Sequence, residues 1–214
     1  MFFSPFLSMI LHPGILTGCF FMKMRTAYIG LGSNLGDRQS HIRQAVERLS
    51  QEEGVMIQRV SPFYETAAAG FQKPAPPFLN GVAELAVECT PQHLLNRLLH
   101  IESQLGRIRR PQSPEENGPQ SRSIDLDLLL YGDQIISEQN LILPHPRLHL
   151  RWFVLKPLSD LCPARPLPGL GLTVAEALQA LDAHSAIIGQ RVDWMAIPGN
   201  GLWGNKNCPE ILPP

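Results

Sequence analysis

Residues 122–131 read Arg122-Ser123-Ile124-Asp125-Leu126-Asp127-Leu128-Leu129-Leu130-Tyr131, and how this stretch folds decides the architecture. Most of it has the character of a buried strand, yet it carries two carboxylates at i and i+2. Side chains alternate faces along a strand. Asp125, Asp127, Leu129 and Tyr131 are therefore expected on one face, with Ile124, Leu126, Leu128 and Leu130 on the other. Neighbouring acids repel, and burying them unpaired is costly. The pattern asks for a cation between them, and a pair of oxygen donors suits a hard ion such as Mg²⁺.

Working outward, residues 26–31 read as a first strand, followed by the Gly-rich turn GLGSNLGD at 30–37. Asp37 is a good N-cap for a helix that puts Ile42, Val46 and Leu49 on one face, and Gly54 ends it. A second strand is expected at 55–63. The Ala- and Pro-rich segment 65–77 reads as a mobile loop, and a third strand follows at 78–89. Thr90-Pro91 is an N-cap with proline at the first helical position. The helix behind it aligns Leu94, Leu98, Ile101 and Leu105. A long loop at 106–121 leads into the acidic strand, and Gly132-Asp133 turns toward a short hairpin. The order β-α-β-β-α-β predicts an α+β, ferredoxin-like core with an antiparallel sheet, an added hairpin and C-terminal helices. Thr173-Val174-Ala175-Glu176 is a capping box that opens one such helix. Beyond Asp182 the periodicity fades.

The 214 residues, 44% of them hydrophobic, suffice for one domain with appendages. A net charge of −1 implies no general polyanion binding, so no nucleic-acid partner is expected. Cys19, Cys89, Cys162 and Cys208 have neither close pairing nor metal-ligand spacing, and read as free thiols in a reducing compartment. Residues 1–22 are apolar but broken by Pro5 and His12-Pro13-Gly14, with no basic n-region or small-residue cleavage site. The expectation is a non-core extension over 1–24, a domain over 25–182 and a loosely structured tail over 183–214. The chain is expected to be cytoplasmic, without a membrane partner, and monomeric.

Several motifs carry candidate chemistry. GLGSNLGD lies between strand and helix as a phosphate-binding turn would. It lacks the G-x-G-x-x-G spacing, however, and no acid ends the second strand, so a simple tight turn explains it as well. Arg107, Arg109, Arg110 and Arg122 flank the acidic pair. They can pair with phosphate oxygens, or Arg122 can simply pair with Asp125. Acids for metal beside arginines for phosphate are the equipment of phosphoryl transfer. Phe78 and Asn80 share a strand face, where an aromatic and an amide can stack a flat heterocycle and bond its edge; read alone, an edge-of-core Phe and a turn Asn explain them as well. His145, held between Pro144 and Pro146, can donate to a phosphate or serve structure alone.

The motifs GLGSNLGD, FYET (63–66), FLNGV (78–82), E-x-x-x-G-R-x-R (102–109), RSIDLDLLLYG (122–132) and LPHPRLHLRWFVLKPL (143–158) occur in one order. In them the chain resembles the 6-hydroxymethyl-7,8-dihydropterin pyrophosphokinases of folate biosynthesis over about residues 26–181. The resemblance implies transfer of the β,γ-pyrophosphoryl group of ATP, the co-substrate, to the hydroxymethyl oxygen of the dihydropterin, with release of AMP. It implies that Asp125 and Asp127 hold two Mg²⁺ ions, with Arg107 and Arg122 clamping phosphates beside them. Arg109, His145 and Arg151 match further ATP-binding positions. Phe78 and Phe153 match the aromatics that sandwich the pterin, Asn80 the amide that reads its edge, and Thr66 and Ala69 loop contacts to it. Segments 65–77 and 106–121 match the family's moving lids. Where some members carry an Arg-Trp pair in the second lid, this chain has PQSPEENGPQS. A catalytically silent ferredoxin-like binding module and a Rossmann oxidoreductase are the alternatives. Intact aspartates and arginines count against the first, and the glycine spacing against the second.

Overall fold

A computed structural model describes residues 23–68, 71, 74–107, 120–182 and 190–192. Strand β1, Arg25–Ser33, is an interior strand of the sheet and is buried almost throughout. It pairs antiparallel with β4, Phe78–Val87, on one side and with β5, Asp125–Tyr131, on the other. Helix α1, Arg38–Gln51, starts where the Asp37 carboxylate accepts the Ser40 amide at 3.0 Å. It buries Ile42, Ala45, Val46 and Leu49. Gly54, at φ +67°, takes the left-handed turn into the next strand.

The strand expected over 55–63 is two strands. Val55–Val60 forms β2 and Phe63–Thr66 forms β3, and both pair with β4. Pro62 is the reason, since it has no amide to give to a ladder. Ser61 anchors the break instead: its amide donates to the Val82 carbonyl and its hydroxyl accepts the Val82 amide, both at 2.9 Å.

Helix α2, Pro91–Gln104, is capped by Thr90, whose Oγ1 accepts the His93 amide at 3.3 Å. Leu94, Leu98 and Ile101 face inward as expected, and Leu105 is half-buried at the C-cap. Helices α1 and α2 cover one face of the sheet around Ile29, Leu31, Leu85, Leu126 and Leu128. The βαββαβ order and the antiparallel ladder β3–β4–β1–β5 give the ferredoxin-like arrangement expected.

One expectation about the acidic strand fails. Tyr28 pairs with Leu130 and Ile29 with Leu128, which leaves Leu129 as an extra residue in the ladder. This bulge reverses the alternation. Leu129 stays on the aspartate face, but Tyr131 joins the core beneath α1 and α2.

After β5, a turn through Gly132 leads to the hairpin of β6, Ile136–Glu138, and β7, Leu141–Leu143. A 3₁₀ turn at Leu148–Leu150 precedes helix α3, Trp152–Leu161, which contains Pro157. Strands β8, Pro166–Leu167, and β9, Leu172–Thr173, pair before helix α4, Val174–Asp182. The capping box forms: Glu176 accepts the Thr173 amide at 2.8 Å, and the Glu176 amide donates back to Thr173 Oγ1 at 3.3 Å. Helix α3 packs on β4 and α4, burying Val154, Leu155 and Leu158 against Tyr28, Val82 and Leu129. Part of the stretch expected to be loosely packed adds an edge strand, β10, Gln190–Val192, beside β3. Among the described residues Cys89 and Cys162 are free thiols, and no helix is long and apolar enough to cross a membrane. Residues 1–22 lie outside the described residues.

Candidate functional site

Helices α3 and α4 cover only part of their face of the sheet. The remainder is built around two glycines. Gly30 lies opposite Asp127 and Gly32 opposite Asp125 across the β1–β5 ladder, and Gly32 lies opposite Asn80 across the β1–β4 ladder. Directly paired residues point to the same face. Strand β1 thus presents bare backbone between two carboxylates on one side and an amide on the other.

The carboxylates are met by three arginines and a histidine. Asp125 pairs with Arg107, just past α2, through Oδ1 and with Arg122 through Oδ2 at 3.3 Å. Asp127 faces Arg151 at 3.5 Å and His145 Nε2 at 3.9 Å. His145 is set by its backbone, whose amide donates to the Leu129 carbonyl at 2.9 Å. Its Nδ1 accepts the Arg147 amide at 3.2 Å, which puts the proton of the neutral ring on Nε2, toward Asp127.

Burial, and then repulsion from Asp125, push the Asp127 carboxyl above the usual carboxylate range. His145, Arg151 and Arg122 pull the other way without cancelling this. Burial also lowers the His145 pKa, against the attraction of Asp127, and lowers that of Arg151. The side chain of Asp127 remains 35% exposed, so it is open to a ligand. Two adjacent carboxylates offer the oxygen donors that fit a hard divalent cation. Among the described residues, no group of three or more His, Cys, Asp or Glu could hold a metal ion, so such an ion would complete its shell from substrate and water. The buried Arg122 Nε has no partner among the described residues and is a donor left for an anion.

The aromatic and amide residues border the carboxylates. Arg122 lies over the Phe78 ring at 5.6 Å, and Arg151 over the Phe153 ring at 5.5 Å. Each aspartate is thereby linked through one arginine to one aromatic. Phe71 is a tilted neighbour of Phe78, with ring centroids 6.0 Å apart. Asn80, nearly buried, donates through Nδ2 to Thr66 Oγ1 at 2.9 Å. Ten of the thirteen candidate residues singled out from the sequence lie around this site; Ala69, Arg109 and Arg110 lie outside the described residues.

Three further residues shape the site without having been singled out. Asn34, 1% exposed, is tied to the backbone of Arg122 in both directions, accepting its amide at 2.7 Å and donating its own amide to its carbonyl at 3.1 Å. Its Nδ2 donates to Pro76 O at 3.2 Å and to Ser121 Oγ at 2.9 Å, so the Gly-rich turn joins two loop stems. Glu102, 1% exposed, accepts the Leu126 amide between the two aspartates at 2.8 Å and pairs with Arg107. Arg38 bonds Glu65 and Pro77. The signals were present in SNLGD and in E-x-x-x-G-R, but their partners are distant in sequence.

Known proteins carry the same frame. A Synechocystis protein named 2-amino-4-hydroxy-6-hydroxymethyldihydropteridine pyrophosphokinase is 34% identical over 88% of this chain and 89% of its own. A Bacillus subtilis protein of the same name is 43% identical over 64% of this chain and 77% of its own. A crystal structure of a Plasmodium falciparum HPPK-DHPS triple mutant superposes with a TM-score of 0.60 at 14% identity, over 76% of this chain and 45% of that longer one. At that identity it speaks for the fold alone. The chain is an ATP-dependent diphosphotransferase. It belongs to the 7,8-dihydro-6-hydroxymethylpterin-pyrophosphokinase (HPPK) family, whose model matches residues 28–163.

Proposed function

We propose that this chain transfers pyrophosphate from ATP to 6-hydroxymethyl-7,8-dihydropterin, giving AMP and the dihydropterin diphosphate for folate biosynthesis. The hydroxymethyl oxygen attacks the β-phosphorus, the bond to the α,β-bridging oxygen breaks, and the hydroxyl proton is lost. The observation that carries this reading is the open pair Asp125 and Asp127, with Arg107, Arg122, His145 and Arg151 converging on it.

Asp125 and Asp127 would hold two Mg²⁺ ions, which neutralise the triphosphate and align it for attack. Arg107 and Arg122 take the transferring phosphates, and the unpartnered Arg122 Nε supplies one donor. Arg109, His145 and Arg151 serve the rest of ATP. A neutral His145 presents an N–H to phosphate without adding charge. Phe78 and Phe153 stack the pterin, Asn80 reads its edge beside Thr66, and Ala69 contributes backbone.

The working unit is residues 25–182, acting as a cytoplasmic monomer. A chain beginning at Met24 should fold and keep full activity; loss of most activity would show that the preceding residues belong to the unit.

The decisive experiment incubates the protein with ATP, Mg²⁺ and the hydroxymethyl-dihydropterin and identifies the nucleotide product. AMP is expected. ADP would replace pyrophosphoryl by simple phosphoryl transfer. Tight binding of both ligands without turnover would favour the silent binding module.

A further inference from the structure

Residues 67–77 connect β3 to β4, and both stems of that connection meet one side chain. Arg38, in the first turn of α1, donates through Nη1 to the Pro77 carbonyl at 2.8 Å and through Nη2 to Glu65 Oε2 at 2.6 Å. Glu65 is the penultimate residue of β3, and Pro77 immediately precedes β4. The residues that follow them, Thr66 and Phe78, are ladder partners that close the hairpin. Thr66 carries the hydroxyl that accepts from Asn80, and Phe78 carries the ring beneath Arg122.

Alternation along β3 puts Glu65 on the α1 face and Thr66 on the open face. Arg38 therefore acts from behind the sheet and touches none of the groups assigned to substrate. The guanidinium suits this task because its rigid fork sends separate N–H groups to a carboxylate and a carbonyl, which one ammonium cannot reproduce. Asn34 adds a bond to the adjoining Pro76 carbonyl, so the chain entering Phe78 is held at two successive carbonyls.

We propose that Arg38 and Glu65 form a clamp across the neck of the 67–77 connection, and that Arg38 is a positioning residue for the pterin side of the site. The clamp rests on the reading of Phe78 and Thr66 as pterin contacts. It fixes where the Phe78 ring stands relative to Asn80, and it leaves the Asp125–Asp127 side untouched. A role in stability alone would affect both ligands alike, whereas the clamp separates them.

The test titrates wild type, R38A, R38K and E65Q with the hydroxymethyl-dihydropterin, and separately with a non-hydrolysable ATP analogue plus Mg²⁺. R38A should weaken pterin binding roughly ten-fold, about 1.4 kcal/mol. Its affinity for the ATP analogue should stay within about two-fold of wild type, and R38K should recover part of the pterin loss. Unchanged pterin affinity in R38A, or equal losses for both ligands, overturns the clamp. If R38A does not fold, E65Q decides: a selective loss of pterin affinity supports the clamp, and none overturns it. Failure of wild type itself to bind the pterin would overturn the functional reading instead, which keeps the two failures distinct.

Discussion

Gly32 of β1 lies directly across the ladder from Asn80 of β4, and a Cβ at Gly32 would come within 3.1 Å of Asn80 Oδ1. The glycine is there for space, because it has no positive φ to explain it. Gly32→Ala should push the Asn80 amide out of line while Thr66 holds its other end. The expected result is weaker binding of the dihydropterin, by roughly 1 kcal/mol or more, the scale of a disturbed hydrogen bond. Titrations with both ligands check it, and a variant that binds the pterin like wild type would contradict the crowding.

Phe78 offers its ring to the open face, with Arg122 lying over it. Phe78→Ala should weaken pterin binding by roughly 1–3 kcal/mol, the measured scale of a lost aromatic stack on a heterocyclic base. ATP affinity should barely change. Equal losses for both ligands would make Phe78 a packing residue only.

The sequence was legible where the physics is local. Asp37, Thr90-Pro91 and the Thr173–Glu176 box cap helices through bonds within three residues, and each forms as its sequence implies. The pairing of strands was less visible. The bulge at Leu129 depends on how β5 meets β1, so the strand's own alternation could not show that Tyr131 turns away from the aspartates. Helix α3 was expected only as one of the C-terminal helices, without bounds, and it forms around Pro157 although a mid-helix proline removes a hydrogen bond. In the site, the residues bearing chemistry stood out by type. Asn34 and Glu102 did not, since their partners Arg122 and Leu126 lie 88 and 24 residues away.

Asp127 also sets a pH dependence. Its folded pKa is raised, so the stability it contributes is fully present below the ordinary carboxylate value of about 4 and is lost as pH rises through the folded value. Asp125 is the charged neighbour responsible after burial, with His145, Arg151 and Arg122 opposing. Without nucleotide or Mg²⁺, Asp127→Asn should therefore melt higher than wild type at pH 7. The difference should shrink as pH falls toward about 4, where wild type becomes protonated as well. Thermal melts across this range measure it, and a gap that widens on acidification would reverse the assignment.

The same carboxylate should be costly to lose in catalysis. Asp127→Ala removes an oxygen donor whose value is greatest as charge moves between phosphates. The rate of AMP formation should fall by about 10²-fold or more, on the order of 3 kcal/mol in the barrier. The fold should survive, because removing one of two repelling acids relieves the unliganded protein. His145 would keep its place, since it is fixed through its backbone amide to Leu129 and not through Asp127. Wild type should need Mg²⁺, and raising its concentration should restore little in the variant, because the missing donor cannot be supplied from solution in the same position. Near-normal turnover in a folded Asp127→Ala protein would remove this carboxylate from the metal site. It would leave Asp125, already bracketed by Arg107 and Arg122, as the only acid of the pair to hold a cation.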